Sequence, residues 1–224
     1  MPAVTASSPL SVRRPRAQWP VPVALILVSL IPVIFGTLRL AQLTGGAEVT
    51  PENARFFDSP LPVLVHIPAV TLFSLLGAFQ FVPSLRRGSR GKVAWHRLAG
   101  RVLVPAGLLA ALSGLWMGVF YDLPEGDGDV LLILRLVFGS AMLMSIVLGM
   151  LAVLRRDFVR HGAWMARGYA IGIGAGTQAL VSIPWILLVG QPDELTRAVL
   201  MGSAWVINLA VAESFIRRRL KGPA

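Results

Sequence analysis

Long runs of apolar residues recur along the chain, and the short segments between them carry almost all of the charge. A helix needs about 20 residues to cross roughly 30 Å of hydrocarbon, where its backbone polar groups must pair with one another. The runs have this length, so they predict transmembrane α-helices. Six such helices are predicted, at about 21–38, 59–83, 99–121, 130–154, 166–190 and 196–216.

These helices predict an all-α fold, a polytopic membrane helix bundle that forms a single domain over 21–216. A basic segment, 1–20, precedes the bundle, and a basic tail, 217–224, follows it. The first apolar run comes after basic residues, as the core of a secretory signal does. Because the run is longer than such a core and no small-residue cleavage site follows it in 40–50, we expect a retained helix.

The composition is typical of a membrane protein and excludes several kinds of site and partner. Of the 224 residues, 55% are hydrophobic and 14% are charged, and the mean hydropathy is +0.70. In ordinary soluble proteins about a quarter of the residues are charged. Without cysteine the chain can form neither a disulfide scaffold nor a thiolate metal site. The net charge is +10, but no nucleic-acid-reading motif accompanies it, so we expect no nucleic-acid partner.

The basic residues lie mainly on one side of the predicted bundle. Seventeen of the 21 Lys and Arg residues fall in the two termini and in the second and fourth connections, together with two acidic residues. The other side has nine acidic residues and four arginines, which are Arg39, Arg55, Arg135 and Arg197. Because short loops rich in Lys and Arg stay in the cytoplasm, we expect both termini to be cytoplasmic. The basic loops would contact anionic lipids there.

Small residues recur at intervals of four in two of the predicted helices. This spacing places them on one helix face. The residues are Gly168, Gly172 and Gly176 in the fifth helix and Ala110, Gly114 and Gly118 in the third. Such a face indicates close helix packing. A groove for a flat cofactor or a quinone ring would need the same lack of side chains, so both interpretations stay open.

Two ionisable residues are predicted to lie in the outer half of the membrane. His66 is about two turns inside the second helix, and Arg135 is at a similar depth in the fourth. Ionisable groups at membrane depth are costly, so each is a functional candidate. We expect the two to share an outer pocket with Asp58 at its rim. The alternatives are an Arg135 side chain that extends to the headgroups and a neutral His66 that is hydrogen-bonded to a carbonyl.

Two further histidines, His96 and His161, are predicted at one depth near the cytoplasmic face. Two imidazoles at one level on facing helices are what bis-histidine haem ligation requires, so both are candidate ligands of a haem iron. Arg97, Arg101 and Arg167 would then pair with the haem propionates. The alternative is that these histidines and arginines bind lipid phosphates at the interface.

The cytoplasmic ends of the last two helices hold three more candidate residues. Glu213 lies in the sixth helix, with Asn208 above it. We expect Glu213 to pair with Arg101 or Arg167, because a lone carboxylate at this depth would take up a proton. A proton-coupling site is the alternative. Trp164, in the fifth helix, is of the residue type that anchors helices at the interface.

Three motifs of the chain resemble those of a known family. They are HRxxGR at 96–101, RHxxWMxR at 160–167 and WxxNxxxAE at 205–213. They resemble a bacterial family of predicted multi-pass membrane proteins classed as a domain of unknown function, over about residues 60–216. The resemblance implies the fold and a location in the bacterial plasma (inner) membrane, but no established activity. Its pattern positions are His66, His96, Arg97, Arg101, His161, Trp164, Arg167, Asn208 and Glu213. The layout is also similar, more weakly, to six-helix b-type cytochromes.

Three classes of function fit these features. A redox or electron-transfer protein would hold one b-type haem, or a quinone, at His96 and His161 and would meet a redox partner. A small-molecule or lipid transporter would line a polar path with His66, Arg135 and Glu213. A structural or accessory protein would use its polar residues only to hold helices together. The sequence has no classical catalytic motif, so any enzymatic activity is expected to be that of an oxidoreductase.

Overall fold

The computed structural model of the protein describes residues 19–86 and 92–220. The predicted basic segment lies outside the described residues up to residue 18, and so do residues 221–224 of the predicted tail. Part of the second connection, 87–91, also lies outside them.

The described residues form nine α-helices and one short 3-10 helix, and no strand occurs among them. The prediction of an all-α fold is therefore confirmed. The α-helices are α1 (Pro20–Thr44), α2 (Ala54–Asp58), α3 (Pro60–Ala78), α4 (Pro83–Arg86), α5 (Lys92–Phe120), α6 (Asp129–Leu154), α7 (Phe158–Gly172), α8 (Gly174–Leu188) and α9 (Glu194–Leu220). The 3-10 helix, Phe79–Phe81, continues α3.

The length and composition of the helices agree with a polytopic membrane bundle. In the described residues, five spans are long and apolar enough to cross a membrane, at Pro20–Thr44, Pro60–Phe81, Trp95–Phe120, Asp129–Leu154 and Glu194–Leu220. α7 and α8 pass the same test together, with a bend of 41° between them. Counted as one bent span, the pair brings the number to six.

Several helices extend beyond the apolar runs that predicted them. α1 continues to Thr44, whereas residue 38 was the predicted end, and α5 begins at Lys92 rather than near residue 99. The reason is that helical hydrogen bonds continue outside the hydrocarbon, whereas an apolar run marks only the part inside it. The connection 39–58 contains α2, a short helix that the hydrophobic pattern did not indicate.

Alanine is the commonest buried residue inside the bundle, and many large apolar side chains are exposed on its outside. Buried alanines include Ala69, Ala78, Ala106, Ala110, Ala111 and Ala170. Exposed large residues include Phe35, Phe120, Leu187 and Leu188. This distribution is expected where lipid is the solvent, because helices associate there through close approach rather than through burial from water. α3 packs between α1 and α5, and α9 packs on α6, α7 and α8.

The predicted fifth helix, 166–190, is interrupted at Ile173, where α7 ends and α8 begins. Gly172 and Gly174 flank the interruption, and glycine is a poor helix former. Neighbouring groups occupy the space that side chains would need, since a Cβ at Gly174 would meet the indole of Trp205. A Cβ at Gly176 would meet the backbone carbonyl of Val28 in α1. The glycines therefore allow both the bend and the close approach of α1 and α9.

Candidate functional site

A cavity of about 470 Å³ lies between the helices. We call the end of the bundle that holds α2 and the α5–α6 connection the α2 end, and the opposite end, which holds Arg167 and the α6–α7 connection, the basic end. The cavity reaches from residues at the α2 end to the bend between α7 and α8. Its wall combines charged, polar, aromatic and glycine residues, among them Arg55, Phe56, His66, Thr71, Ser74, Gly114, Gly118, Tyr121, Asp122, Arg135, Gly172, Gln178 and Trp205.

His66 and Arg135, which were predicted to share a pocket, both line this cavity. Asp58 is exposed and is not among the lining residues; Arg55 and Asp122 line that part of the wall instead. Gly114 makes room for the imidazole, because a Cβ there would lie 3.3 Å from His66 Cε1. The small face of α5 thus contributes to the cavity wall as well as to helix packing.

The hydrogen bonds of His66 fix its tautomer. Nδ1 lies 3.0 Å from the carbonyl oxygen of Ala110 and 3.0 Å from the hydroxyl of Ser113. A carbonyl oxygen can only accept, so Nδ1 carries the proton and donates it. In the neutral ring Nε2 is then an acceptor. A molecule in the cavity that meets this imidazole would therefore have to present a hydrogen-bond donor to Nε2.

The mouth of the cavity, formed by Arg55, Phe56, Tyr121, Asp122 and Arg135, combines aromatic rings with guanidinium groups. The Phe56 ring has the Arg55 guanidinium carbon 4.7 Å from its centroid and that of Arg39 4.6 Å away. Tyr121 packs edge-on against Phe56 and donates its hydroxyl proton to the carbonyl of Ser59 at 2.5 Å. Burial lowers the pKa of Arg55 and raises the pKa of Tyr121.

Beside the mouth, a buried carboxylate joins three segments of the chain. Asp127, in the α5–α6 connection, has Arg135 Nη1 2.5 Å from Oδ2 and Arg197 Nε 2.6 Å from Oδ1. The Asp127 side chain has no exposed surface, whereas the two arginines are about a third exposed. Neither contact has the alignment of a hydrogen bond in the described residues, so attraction between the charges holds the group together.

Opposite charges segregate at the α2 end. The four arginines there, Arg39, Arg55, Arg135 and Arg197, are all partly buried. Among the acidic residues only Asp127 is buried; the exposed ones are Glu48, Glu52, Asp58, Asp122, Glu125, Asp129, Asp193 and Glu194. Exposed charges are screened by water and salt, whereas partly buried ones are screened much less. The groups that act on the cavity are therefore mainly cationic, although this end carries more acidic than basic residues.

Aromatic residues form a floor between the cavity and the basic end. Tyr169 donates its hydroxyl proton to the carbonyl of Ser74 at 2.7 Å, and its ring packs against Phe73 and Phe81. Phe73 is 2% exposed and Tyr169 5%. Phe73 also fills the space beside Gly172, where a Cβ would lie 2.7 Å from its ring. The cavity is thus bounded on this side by a tightly packed layer.

At the basic end, His161 contacts the helix before it. Its Nδ1 donates to the carbonyl of Gly149 in α6 at 2.8 Å, which leaves Nε2 as the acceptor nitrogen of the neutral ring. His96 is half-buried in α5, and Arg97 and Arg101 are exposed. Neither histidine lines the cavity described above. Their pairing around a haem iron stays a prediction.

Arg167, Glu213 and Trp164 come together at the basic end. Arg167 binds Glu213 with two contacts, from Nε to Oε1 at 2.5 Å and from Nη2 to Oε2 at 3.1 Å. The guanidinium carbon of Arg167 lies 4.7 Å from the centroid of the Trp164 ring. Of the two partners expected for Glu213, Arg167 is the one in contact. A two-point carboxylate–guanidinium pair holds α7 and α9 together and requires an ionised Glu213.

Asn208 connects both sides of the bend. Its Nδ2 donates to the carbonyl of Ala170 in α7 at 3.0 Å, and its Oδ1 accepts from the Thr177 hydroxyl in α8 at 2.9 Å. The last carbonyls of a helix lack partners within the helix, so this amide replaces a bond that the bend removes. Gln178 adds a weaker contact from Nε2 to the carbonyl of Met201, at 3.3 Å.

Several residues of the site were not singled out by the sequence. Arg55, Phe56 and Tyr121 lie in or next to connections, where no periodicity indicates which side chains turn inward. Asp127 is one of four acids in the segment 122–129, and nothing in the sequence distinguishes it from its exposed neighbours. The one signal in the sequence was the uneven charge of the predicted outer side, which has few arginines and many acidic residues.

One comparison with known proteins matches the chain. A family model described as "Predicted membrane protein (DUF2306)", a domain of unknown function, matches residues 63–216, from within α3 to near the end of α9. No curated protein and no solved structure matches. The match includes His66, Arg135 and the contact group of Trp164, Arg167 and Glu213, and it covers more than half of the chain. This protein therefore belongs to the DUF2306 family of predicted membrane proteins.

Proposed function

We propose that this membrane protein binds a small, partly apolar molecule in the cavity. The observation that carries the proposal is a space of about 470 Å³ between the helices, a volume in the range of small-molecule sites. The wall is mostly apolar and has a few polar groups, among them His66 and Gln178. Such groups orient a ligand, while the apolar surface supplies most of the contact. A small-molecule or lipid transporter would need a site of this kind.

The proposed orientation places the mouth of the cavity on the outer face of the membrane. The charge distribution supports it, since most of the Lys and Arg residues in the described parts of the chain lie at the basic end. The ligand would enter from outside the cell or from the outer leaflet. Passage to the cytoplasm would require the floor at Phe73 and Tyr169 to open, and the bend between α7 and α8 is the place where the backbone can change direction.

Two neighbouring positions give a matched test of this proposal. Thr71 lines the cavity, whereas Leu72 is exposed on the outside of the bundle. We expect native mass spectrometry of the purified protein to detect a bound small molecule in the wild type and in Leu72→Phe, and to find it lost in Thr71→Phe. The same bound species in all three proteins, or none in any of them, would contradict the proposal.

A b-type haem at the basic end is a second candidate function, and one observation favours it. The bond from His161 Nδ1 to the carbonyl of Gly149 orients the ring and leaves Nε2 with a lone pair, as in many metal-binding histidines. His96 would supply the second ligand, and Arg97 and Arg101 the partners of the propionates. A quinone near these residues would serve the same redox role.

The haem candidate predicts a reduced-minus-oxidised difference spectrum with a Soret band. We expect the band to disappear in His96→Ala and in His161→Ala and to persist in His66→Ala, since His66 lies at the cavity instead. A purified protein that shows no band after reconstitution with haem, or a band that survives both substitutions, would exclude this candidate.

A further inference from the structure

The charges at the mouth indicate which class of molecule the cavity takes, an inference that rests on the proposed function. Arg55 lines the cavity from α2 and is only partly exposed. Within the described part of the chain it has no ion pair; its contact is the face of Phe56. A partly buried guanidinium without a carboxylate partner is costly, because water no longer solvates it fully. An anion in the mouth would remove that cost.

Arg135 provides a second donor in the wall of the cavity, from α6. Its Nη1 is held by Asp127, and Asp127 also binds Arg197, so one carboxylate is shared between two guanidinium groups. Asp122, the other acid at the mouth, is exposed. Arg39 lies on the same Phe56 ring as Arg55 and adds further positive charge. The mouth therefore carries an excess of partly buried positive charge that a ligand can neutralise.

The path below the mouth suits an apolar group. His66 and Ser74 both line the cavity, and Ser74 lies eight positions after His66, a distance of about 12 Å along α3. Gly114, Gly118, Gly139 and Met142 line the same space and add no polar side chain to it, so this part of the wall is mostly apolar. A ligand with its polar group at the mouth would thus place an extended apolar chain along α3.

We propose that the cavity binds an amphipathic anion, whose carboxylate or phosphate is held by Arg55 and Arg135 and one apolar chain of which lies along α3 toward Trp205. Guanidinium groups are the side chains best suited to these anions, because they donate paired hydrogen bonds to two oxygens. The anion comes either from a free single-chain acid or from the headgroup of a membrane lipid.

Photolabelling with matched probes tests the proposal. The protein is placed in nanodiscs of neutral phosphatidylcholine, and two probes are compared: a ten-carbon carboxylic acid with a diazirine on its chain, and the corresponding alcohol. We expect the acid to label cavity residues of the wild type at concentrations about tenfold lower than the alcohol, as one charge-assisted pair allows. In Arg55→Gln that preference should be lost, and Arg55→Lys should retain part of it.

Controls separate the failure of this inference from the failure of the proposed function. Arg218→Gln removes an exposed arginine of α9 at the basic end and should leave the preference unchanged. Thr71→Phe should abolish cavity labelling by both probes. If the acid and the alcohol label the cavity equally well, both in the wild type and in Arg55→Gln, the anion site is overturned while the cavity remains a binding site. If Thr71→Phe is labelled like the wild type, the proposed function is overturned as well.

The source of the anion is decided in the same assay. Nanodiscs that contain phosphatidylglycerol should compete with the acid probe if a lipid headgroup occupies the mouth, and this competition should be lost in Arg55→Gln. Labelling that phosphatidylglycerol does not reduce identifies a free acid as the ligand. Competition that is equally strong in the wild type and in Arg55→Gln would contradict an anion site at Arg55.

Discussion

At the scale of single residues, Asp127 determines the arrangement of the charged side chains at the mouth of the cavity. The carboxylate is completely buried and binds one arginine from α6 and one from α9. Burying a charge is costly unless partners compensate it, and here two guanidinium groups do so. Without the carboxylate those groups would repel each other, so Asp127 fixes the position of Arg135 at the cavity wall.

Replacing Asp127 by asparagine should destabilise the protein by about 2 kcal/mol. The amide keeps the shape but loses the charge, and Arg135 and Arg197 are then left partly buried without a charged partner. The loss is smaller than for a fully buried pair, because both arginines are about a third exposed. Thermal unfolding in detergent measures the change. Glu125→Gln, at an exposed position in the same connection, is the control and should have almost no effect. Equal stability of the two variants would show that the contacts of the buried carboxylate with its two arginines contribute nothing to the stability of the protein.

Arg167 and Glu213 show a different use of charge. Both are about a third exposed, so water screens their attraction and the pair contributes modestly to stability. Its two-point geometry adds a directional contact between α7 and α9. This arrangement favours the ion-pair interpretation of Glu213 over proton coupling.

At the scale of elements, the bend between α7 and α8 is stabilised from outside the two helices. Asn208 donates to the Ala170 carbonyl of α7, which replaces a bond that a continuous helix would have made, and it accepts from the Thr177 side-chain hydroxyl of α8. The bend brings Gly172 and Gln178 to the cavity wall. The element that interrupts the membrane helix is therefore also part of the site.

The substitution Asn208→Leu should reduce stability by about 2 kcal/mol, because the Ala170 carbonyl and the Thr177 hydroxyl would lose their partner. Ser214→Ala, one turn and a half further along α9, removes only an exposed hydroxyl that bonds to the carbonyl of Ala210 in its own helix. Denaturant titration of both variants provides the comparison. A loss no larger in Asn208→Leu than in Ser214→Ala would contradict the bridging role.

Glycine packing gives a second prediction at this scale. In Gly176→Ala the new methyl group would meet the backbone carbonyl of Val28, which cannot move aside without shifting α1, so we expect a loss of about 2 kcal/mol. In Gly162→Ala the added methyl group meets nothing within 4 Å, and the helix should gain about 0.5 kcal/mol. The melting temperatures of the two variants should therefore change in opposite directions. A Gly176→Ala protein as stable as the wild type would show that α1 does not pack as described.

The sequence predicted the elements better than it predicted the site, for physical reasons. Apolar runs identify membrane helices because hydrocarbon excludes polar groups everywhere along them. His66 and Arg135 were found by the same logic, as ionisable residues inside such runs. Arg55 and Asp127 lie in connections, where burial depends on which segments meet in three dimensions. The bend was missed because Gly172 and Gly176 also fit the small face of a straight helix.

At the scale of the whole molecule, the two ends of the bundle differ in charge and in construction. The α2 end has four partly buried arginines, of which Arg55 and Arg135 line the cavity, and its acidic residues are exposed except for Asp127. The basic end is closed by the aromatic layer of Phe73, Tyr169 and Phe81 and by the Arg167–Glu213 pair. Such an asymmetry fits a protein that receives a ligand from one face of the membrane.

Cysteine accessibility tests the central claim, a cavity open toward the outer face, most directly. The chain has no cysteine, so a single introduced thiol reports on its own position. Thr71→Cys lies in the cavity wall and Leu72→Cys, its neighbour, faces the lipid. Thiols react as thiolates, which need water. With a membrane-impermeant methanethiosulfonate reagent added to intact cells, we predict modification of Thr71→Cys and none of Leu72→Cys. A Thr71→Cys protein that stays unmodified, or reacts only when the cytoplasmic face is exposed, would contradict the account.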